Sequence, residues 1–150
     1  MDFRFDLSAD APDLYGALFN VTKALGASGL PTGLKHLIDL RVSQINGCTY
    51  CIGLHTEWAQ RDGESRERIG AVADWAASPL FTPDEGAAFA WAEALTRREK
   101  DRLDDLHADL GRHFDRAQVA ALTMAVAAIN AWNRVGIATH REAPVERAAA

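Results

Sequence analysis

Apolar residues recur along this chain at helical rather than alternating intervals. Leu14, Leu18, Val21 and Leu25 form one stripe, and Leu34, Leu37, Ile38, Val42 and Ile45 nearly fill a second. Gly26 and the break Gly29-Leu30-Pro31 separate them. Asn46-Gly47 reads as a stop, because glycine takes a left-handed cap without steric cost. The spacing predicts a third helix from about Cys48 to Asp62, closed by Gly63. A fourth should cover Ser65 to Ala77, with Ile69, Val72 and Trp75 or Ala76 inward. The fifth has the clearest start. Thr82 is its N-cap, Pro83 its first helical residue, and Glu85 closes a capping box. A short helix around Leu103, Leu106 and Leu110 follows. Asp115 to Gln118 is a second capping box, and it opens a long apolar segment from Val119 to Ala138. From Arg141 the chain reads as a frayed tail.

FTPDEGAAFAWA from Phe81 and FDRAQVAALTMA from Phe114 share a plan. Each sets Phe before a cap, an acid or amide at the third helical position, then Ala-Ala and a large apolar residue. Two buried helices with the same start signal, or an old duplication, account for this equally well. No stretch reads as a convincing strand. The expectation is therefore all-α: a single compact helical domain of six or seven helices over residues 1–150, with about 141–150 as tail.

Composition narrows the possibilities. A chain of 150 residues can bury roughly two-thirds of its unfolded surface, enough for a core without staples. The net charge of -5, with basic residues scattered, argues against nucleic acid as a partner. No apolar run approaches the roughly 20 residues of a membrane span. The start, MDFRFDLSAD, lacks the basic and apolar regions of a signal peptide. The expected compartment is the cytoplasm, where a vicinal cysteine pair tends to be redox-active or metal-binding rather than structural.

Both cysteines fall in one short stretch, NGCTYCIGLH. On a helix, Cys48, Cys51 and His55 are spaced i, i+3 and i+7 and share one face, and Cys51 and His55 can meet. At a helix N-terminus the unpaired N–H groups and the dipole favour a thiolate, lowering its pKa below the free value of about 8.5. A neighbouring imidazole can take the thiol proton, and two thiols one turn apart can close a disulfide. Three readings compete. A redox dithiol could reduce a peroxide, one thiol becoming a sulfenic acid that the other condenses with. Zinc could be held by Cys48, Cys51 and His55, with His36 as a fourth ligand. The plainest alternative is two small apolar side chains and a core histidine.

The stretch LKHLIDLRVSQINGCTYCIGLHTEWAQRDGE, Leu34 to Glu64, resembles the core of the alkylhydroperoxidase D-like branch of the carboxymuconolactone decarboxylase superfamily. The pattern LR-x-SQINGC-x-YC-x-x-x-H is reproduced from Leu40 to His55. The likeness extends to DWAASPLFTPDEGAAFAWAEALTR and AAINAWNRVGIA, so it covers about residues 15 to 138. The resemblance implies an all-helical oligomer, a trimer or hexamer, with the CxxC at the N-terminus of a central helix. It makes Cys51 the peroxidatic thiol, His55 its base, and Cys48 the resolving thiol that meets an external reductant. Members that decarboxylate a lactone lack this pair. The family's proton relay begins with a Glu twelve residues before the first cysteine. That place holds His36, so either His36 is an alternative relay base, with Asp39 one turn on as a substitute, or the relay is broken and peroxide turnover is poor.

The functional expectation is a dithiol peroxidase acting on a small-molecule hydroperoxide, organic or hydrogen peroxide. No cofactor is expected beyond the cysteine pair. A lipoyl or thioredoxin-like dithiol would re-reduce the enzyme, and the resemblance implies a homo-oligomer with neither nucleic acid nor membrane as partner. A protein disulfide reductase or redox sensor is the alternative enzyme, and a metal-binding oligomeric scaffold the alternative outside enzymology. Asn130, Asn133 and Arg134 interrupt an apolar helix, and buried amides need partners, so at least one should bond across to another helix. Tyr50 could shape the pocket. Trp75, Trp91 and Trp132 read as core or subunit contacts. His107, His113 and His140 have no ligand spacing.

Overall fold

The computed structural model describes residues 3–140, so the predicted tail from Arg141 lies outside the described residues. Within them the chain forms eight α-helices: α1 (Leu7–Asp10), α2 (Pro12–Gly26), α3 (Thr32–Asn46), α4 (Thr49–Arg61), α5 (Arg66–Ala71), α6 (Pro83–Arg97), α7 (Leu103–Leu110) and α8 (Arg116–Thr139). Pairing of extended backbone among these residues is limited to one isolated bridge between Phe3 and His140. The predicted all-α class is observed. The single turn α1 is additional. It is too short for apolar periodicity to reveal, and is set by Asp6, whose carboxylate accepts from the backbone N–H of Ser8 and Ala9.

Local signals placed most boundaries. Thr82–Glu85 and Asp115–Gln118 both form reciprocal capping boxes. The predicted fourth helix differs from expectation. It is α-helical only to Ala71 and continues as a 3₁₀ segment over Val72–Ala77, where Asp74 leaves helical geometry. Trp75 lies just past that break. Its indole N–H donates to Glu93 (3.0 Å) and its ring stacks on Phe89 at 5.3 Å. A tertiary contact here outweighs helix continuity.

Helix α3 is the centre. It packs against α4, α6 and α8. Leu34, Leu37, Ile38, Leu40 and Val42 are buried on it, and so are the polar His36, Asp39 and Ser43. A helix buried around its circumference is normally apolar throughout, so three sealed polar side chains on α3 mark it as more than a packing element. The remaining core comes from Phe89, Leu110, Leu122 and Val126, all fully buried.

Glu93 of α6 ties three elements together. It accepts from Arg41 of α3 (2.6 Å), from Trp75 and from Arg97 (2.7 Å). Burial alone would raise its pKa, but the Trp75 and Arg41 hydrogen bonds, with the charges of Arg41 and Arg97, hold it below the usual carboxylate range. A carboxyl depressed in the folded state stabilises the fold above its unfolded pKa of about 4.3, and that contribution disappears as pH falls through the lower folded value. Glu93→Gln is therefore expected to lower stability at pH 7 and to flatten its decline below pH 4. Urea unfolding across pH 3 to 7 measures this, and a variant with wild-type slope throughout contradicts it.

Candidate functional site

The site begins with how α3 ends. Gly47 takes a left-handed conformation (φ 67°), its N–H bonds the carbonyl of Gln44, and the N–H of Cys48 bonds the carbonyl of Ser43. This Schellman closure reverses the chain in one residue and makes Cys48 the N-cap of α4. The Sγ of Cys48 accepts from the N–H of Cys51 at 3.3 Å. The two cysteines are joined as a disulfide. The predicted helix start, pairing and left-handed glycine are all present.

Helix α8 closes over the sulfur atoms. A Cβ placed on Gly136 would lie 2.9 Å from the Sγ of both Cys48 and Cys51. Its backbone therefore meets the disulfide directly, which only glycine permits. The approach is fixed by amides. Asn133, fully buried, donates to the hydroxyl of Ser43 (2.9 Å) and accepts from Asn46 (2.9 Å), which also donates to Asn130 (3.0 Å). The cross-helix bonds expected of the polar breaks in α8 are thus made to α3, immediately before the CxxC.

Below Cys51 lies a cavity of about 350 Å³ between α2, α4 and α8, edged by Lys35 and Asp39 of α3 and roofed by the residues preceding α2. Cys51 and His55 both line it, and its walls are mainly Leu54, Trp58, Trp132, Tyr15 and Phe19. Tyr50 shapes its rim by stacking on His140 at 3.6 Å. The roof is pinned by Arg4, whose guanidinium donates to the carbonyls of Ile137, Ala138 and His140. Cys48 is 1% exposed and Cys51 4%. Cys51 meets open space at the wall of this cavity.

His55 is buried among charged groups. Burial pushes its imidazole below the ordinary value near 6.5; the Asp39 carboxylate opposes this, while Lys35 and His36 add to it. The Nδ1 of His55 is 3.7 Å from Asp39, too far for a hydrogen bond, and is left without a partner. Asp39 instead pairs with Lys35 at 2.5 Å. His36 is turned to Asp62, at the end of α4, with Nε2 2.8 Å from Oδ2. This bond, followed by one from Arg61, holds the Asp62 carboxyl below its usual range. The Nδ1 of His36 is also sealed and unpartnered. Thus Cys48 caps α4 and Cys51 and His55 lie on it; Cys51, His55 and Asp39 line the cavity, and His36 joins His55 and Asp39 in a buried cluster.

The family model for the carboxymuconolactone decarboxylase family matches residues 12–94, more than half of the chain. The chain belongs to this family. Its fold and its CxxC put it in the alkylhydroperoxidase D-like branch. The Bacillus subtilis (strain 168) protein YdfG is 33% identical over 129 residues, covering 85% of this chain and 88% of its own. A protein of unknown function from Agrobacterium tumefaciens, described as a candidate AhpD antioxidant defence protein, superposes with a TM-score of 0.89 at 33% identity. That match covers 97% of this chain and 100% of the other. The apo debrominase Bmp8 superposes at 0.79 with 25% identity, over 90% of this chain and 74% of its own. No described helix is long and apolar enough to cross a membrane.

Sequence reasoning missed Gly136, Asp62, Trp58 and His140. Gly136 alone carried a local signal, a glycine inside a strongly helical run. In an open helix, Gly→Ala stabilises by about 1 kcal/mol. At Gly136 the methyl would overlap two sulfurs, and overpacking typically costs about 1–3 kcal/mol. Gly136→Ala should therefore lower the urea midpoint, whereas Gly53→Ala on α4, which meets nothing within 4 Å, should raise it. A stabilised Gly136 variant would show that α8 does not press on the disulfide.

Proposed function

We propose that this protein is a dithiol peroxidase that reduces organic hydroperoxides or hydrogen peroxide. The observation that carries the reading is that Cys51, paired with Cys48 at the N-terminus of α4, opens with His55 into one mainly apolar cavity. In the reduced enzyme His55 takes the proton of Cys51, and the positive end of the α4 dipole favours the thiolate. The thiolate attacks the near oxygen of the O–O bond. That bond breaks, Cys51 becomes a sulfenic acid, and the departing alkoxide takes the proton from His55 and leaves as alcohol. The Cys48 thiol then attacks the sulfenic sulfur, water leaves, and the disulfide forms. An external dithiol, lipoyl or thioredoxin-like, restores both thiols by exchange and is itself oxidised to a disulfide.

The seclusion of both sulfurs favours a small substrate over a protein disulfide, the alternative enzyme reading. The apolar walls suit a hydroperoxide with a hydrocarbon or aromatic body. In place of the family's Glu, Asp39 is the carboxylate nearest His55, while His36 is engaged by Asp62. Exposed Leu14, Phe19, Met124 and Ile137 provide apolar surface that suits a homo-oligomer.

Cys51→Ser is expected to reduce consumption of cumene hydroperoxide to the uncatalysed rate. Cys48→Ser should complete one turnover and stop at a sulfenic acid that dimedone traps. His55→Ala should slow oxidation of the reduced enzyme about 10²- to 10⁴-fold. Undiminished peroxide turnover in the Cys51 variant, or a faster reaction with a protein disulfide than with cumene hydroperoxide, would sink the proposal.

A further inference from the structure

Where α3 meets His55, at the edge of the cavity that Asp39 also lines, three buried donors converge. His36 and Asp39 stand i, i+3 on α3, and His55 faces them from α4. One ligand atom from each lies within 4.8 Å of the other two. His36 is 8% exposed and His55 7%, yet the Nδ1 of each has no hydrogen-bond partner. A sealed polar atom left unpaired costs about 1–3 kcal/mol, and here two of them lie in one cluster with a carboxylate. Because Nε2 of His36 is engaged by Asp62, Nδ1 is the nitrogen His36 has to offer. A carboxylate bonded to the far nitrogen is the arrangement that fixes the tautomer of a metal-binding histidine and raises its basicity.

We propose that His36, Asp39 and His55 form a binding site for one divalent first-row transition metal ion. Two imidazoles and one carboxylate suit zinc, cobalt, nickel or iron better than calcium or magnesium, which prefer oxygen alone. The charges permit it: Asp39 and Asp62 face Lys35 and Arg61, and the imidazoles bring no charge when neutral. The Oδ2 of Asp39 that Lys35 contacts is also the oxygen facing His55, so an ion there would take the place of the Lys35 ammonium on that carboxylate. The site differs from a zinc centre on Cys48 and Cys51, since it needs neither sulfur. One consequence, unlike the site itself, rests on the proposed thiol chemistry. An ion on Nδ1 of His55 confines that ring's proton to Nε2, so the ring can no longer accept the proton of Cys51. The loaded enzyme would then react slowly with peroxide.

The full chain, reduced and then dialysed against Zn²⁺ or Co²⁺, provides the test. One equivalent per chain is expected in the wild type and, with unchanged affinity, in the Cys48→Ser/Cys51→Ser double variant. The Co²⁺ form should show d–d bands without sulfur charge-transfer absorption. Asp62→Asn, outside the donor set, should weaken binding about 10- to 100-fold by loosening His36, and His36→Ala should abolish it. Circular dichroism checks that both variants retain helix. Loss of the metal in the double cysteine variant, sulfur charge-transfer bands, no stoichiometric binding by the wild type, or binding indifferent to both Asp62→Asn and His36→Ala in helical protein would each overturn the proposal.

Discussion

The contact between the backbone of Gly136 and the two sulfur atoms governs the rest of the structure. It brings the last helix within van der Waals range of the start of α4. That proximity seals Cys48, leaves Cys51 open only toward the cavity, and aligns Val135, Trp132 and Ile129 as its wall. Asn133 stands one turn earlier on the same helix and is locked to Ser43 and Asn46. A neutral amide network is well suited to this task. It is directional, it loses free energy if the helix slides by a residue, and it adds no charge beside the sulfurs.

Chemistry is concentrated on the hairpin of α3 and α4 because that hairpin is both central and sharply turned. A single left-handed residue, Gly47, reverses the chain, so the end of one helix and the first turn of the next lie side by side. The N–H of Cys51 in the first turn of α4 then meets the sulfur of Cys48, while the polar face of α3 stays within reach of His55. Burial of α3 on all sides makes each of its polar groups consequential, since none can fall back on water.

The two faces of His55 give the molecule its division of labour. Toward the cavity it accompanies Cys51, Leu54 and Trp58 in apolar surroundings. Toward α3 it meets Asp39 and Lys35, which bring charge to the edge of the same cavity, and His36, with Asp62 behind. The balance among these charges and the burial of the ring decides how readily the imidazole takes a proton. The departure from the family at His36 therefore alters the environment of that imidazole without touching the cysteines.

Much of the fold and half of the site were legible in the residues alone. Helix class, both capping boxes, the Gly47 stop and the alignment of Cys48, Cys51 and His55 depend on neighbours within about one turn, where the sequence carries the information. The break at Asp74 was not legible, because Trp75 is drawn away by Glu93, far along the chain. The same holds for Gly136 against the disulfide, for Asp62 on His36, and for His140 over Tyr50. Each joins residues that no local pattern relates, and only packing of the helices brought them together. Sequence determined which side chains could react and how each helix began. The tertiary structure decided which of them share a cavity, which imidazole nitrogens are sealed, and where a glycine is required, because these depend on distances between helices that burial and shape alone set.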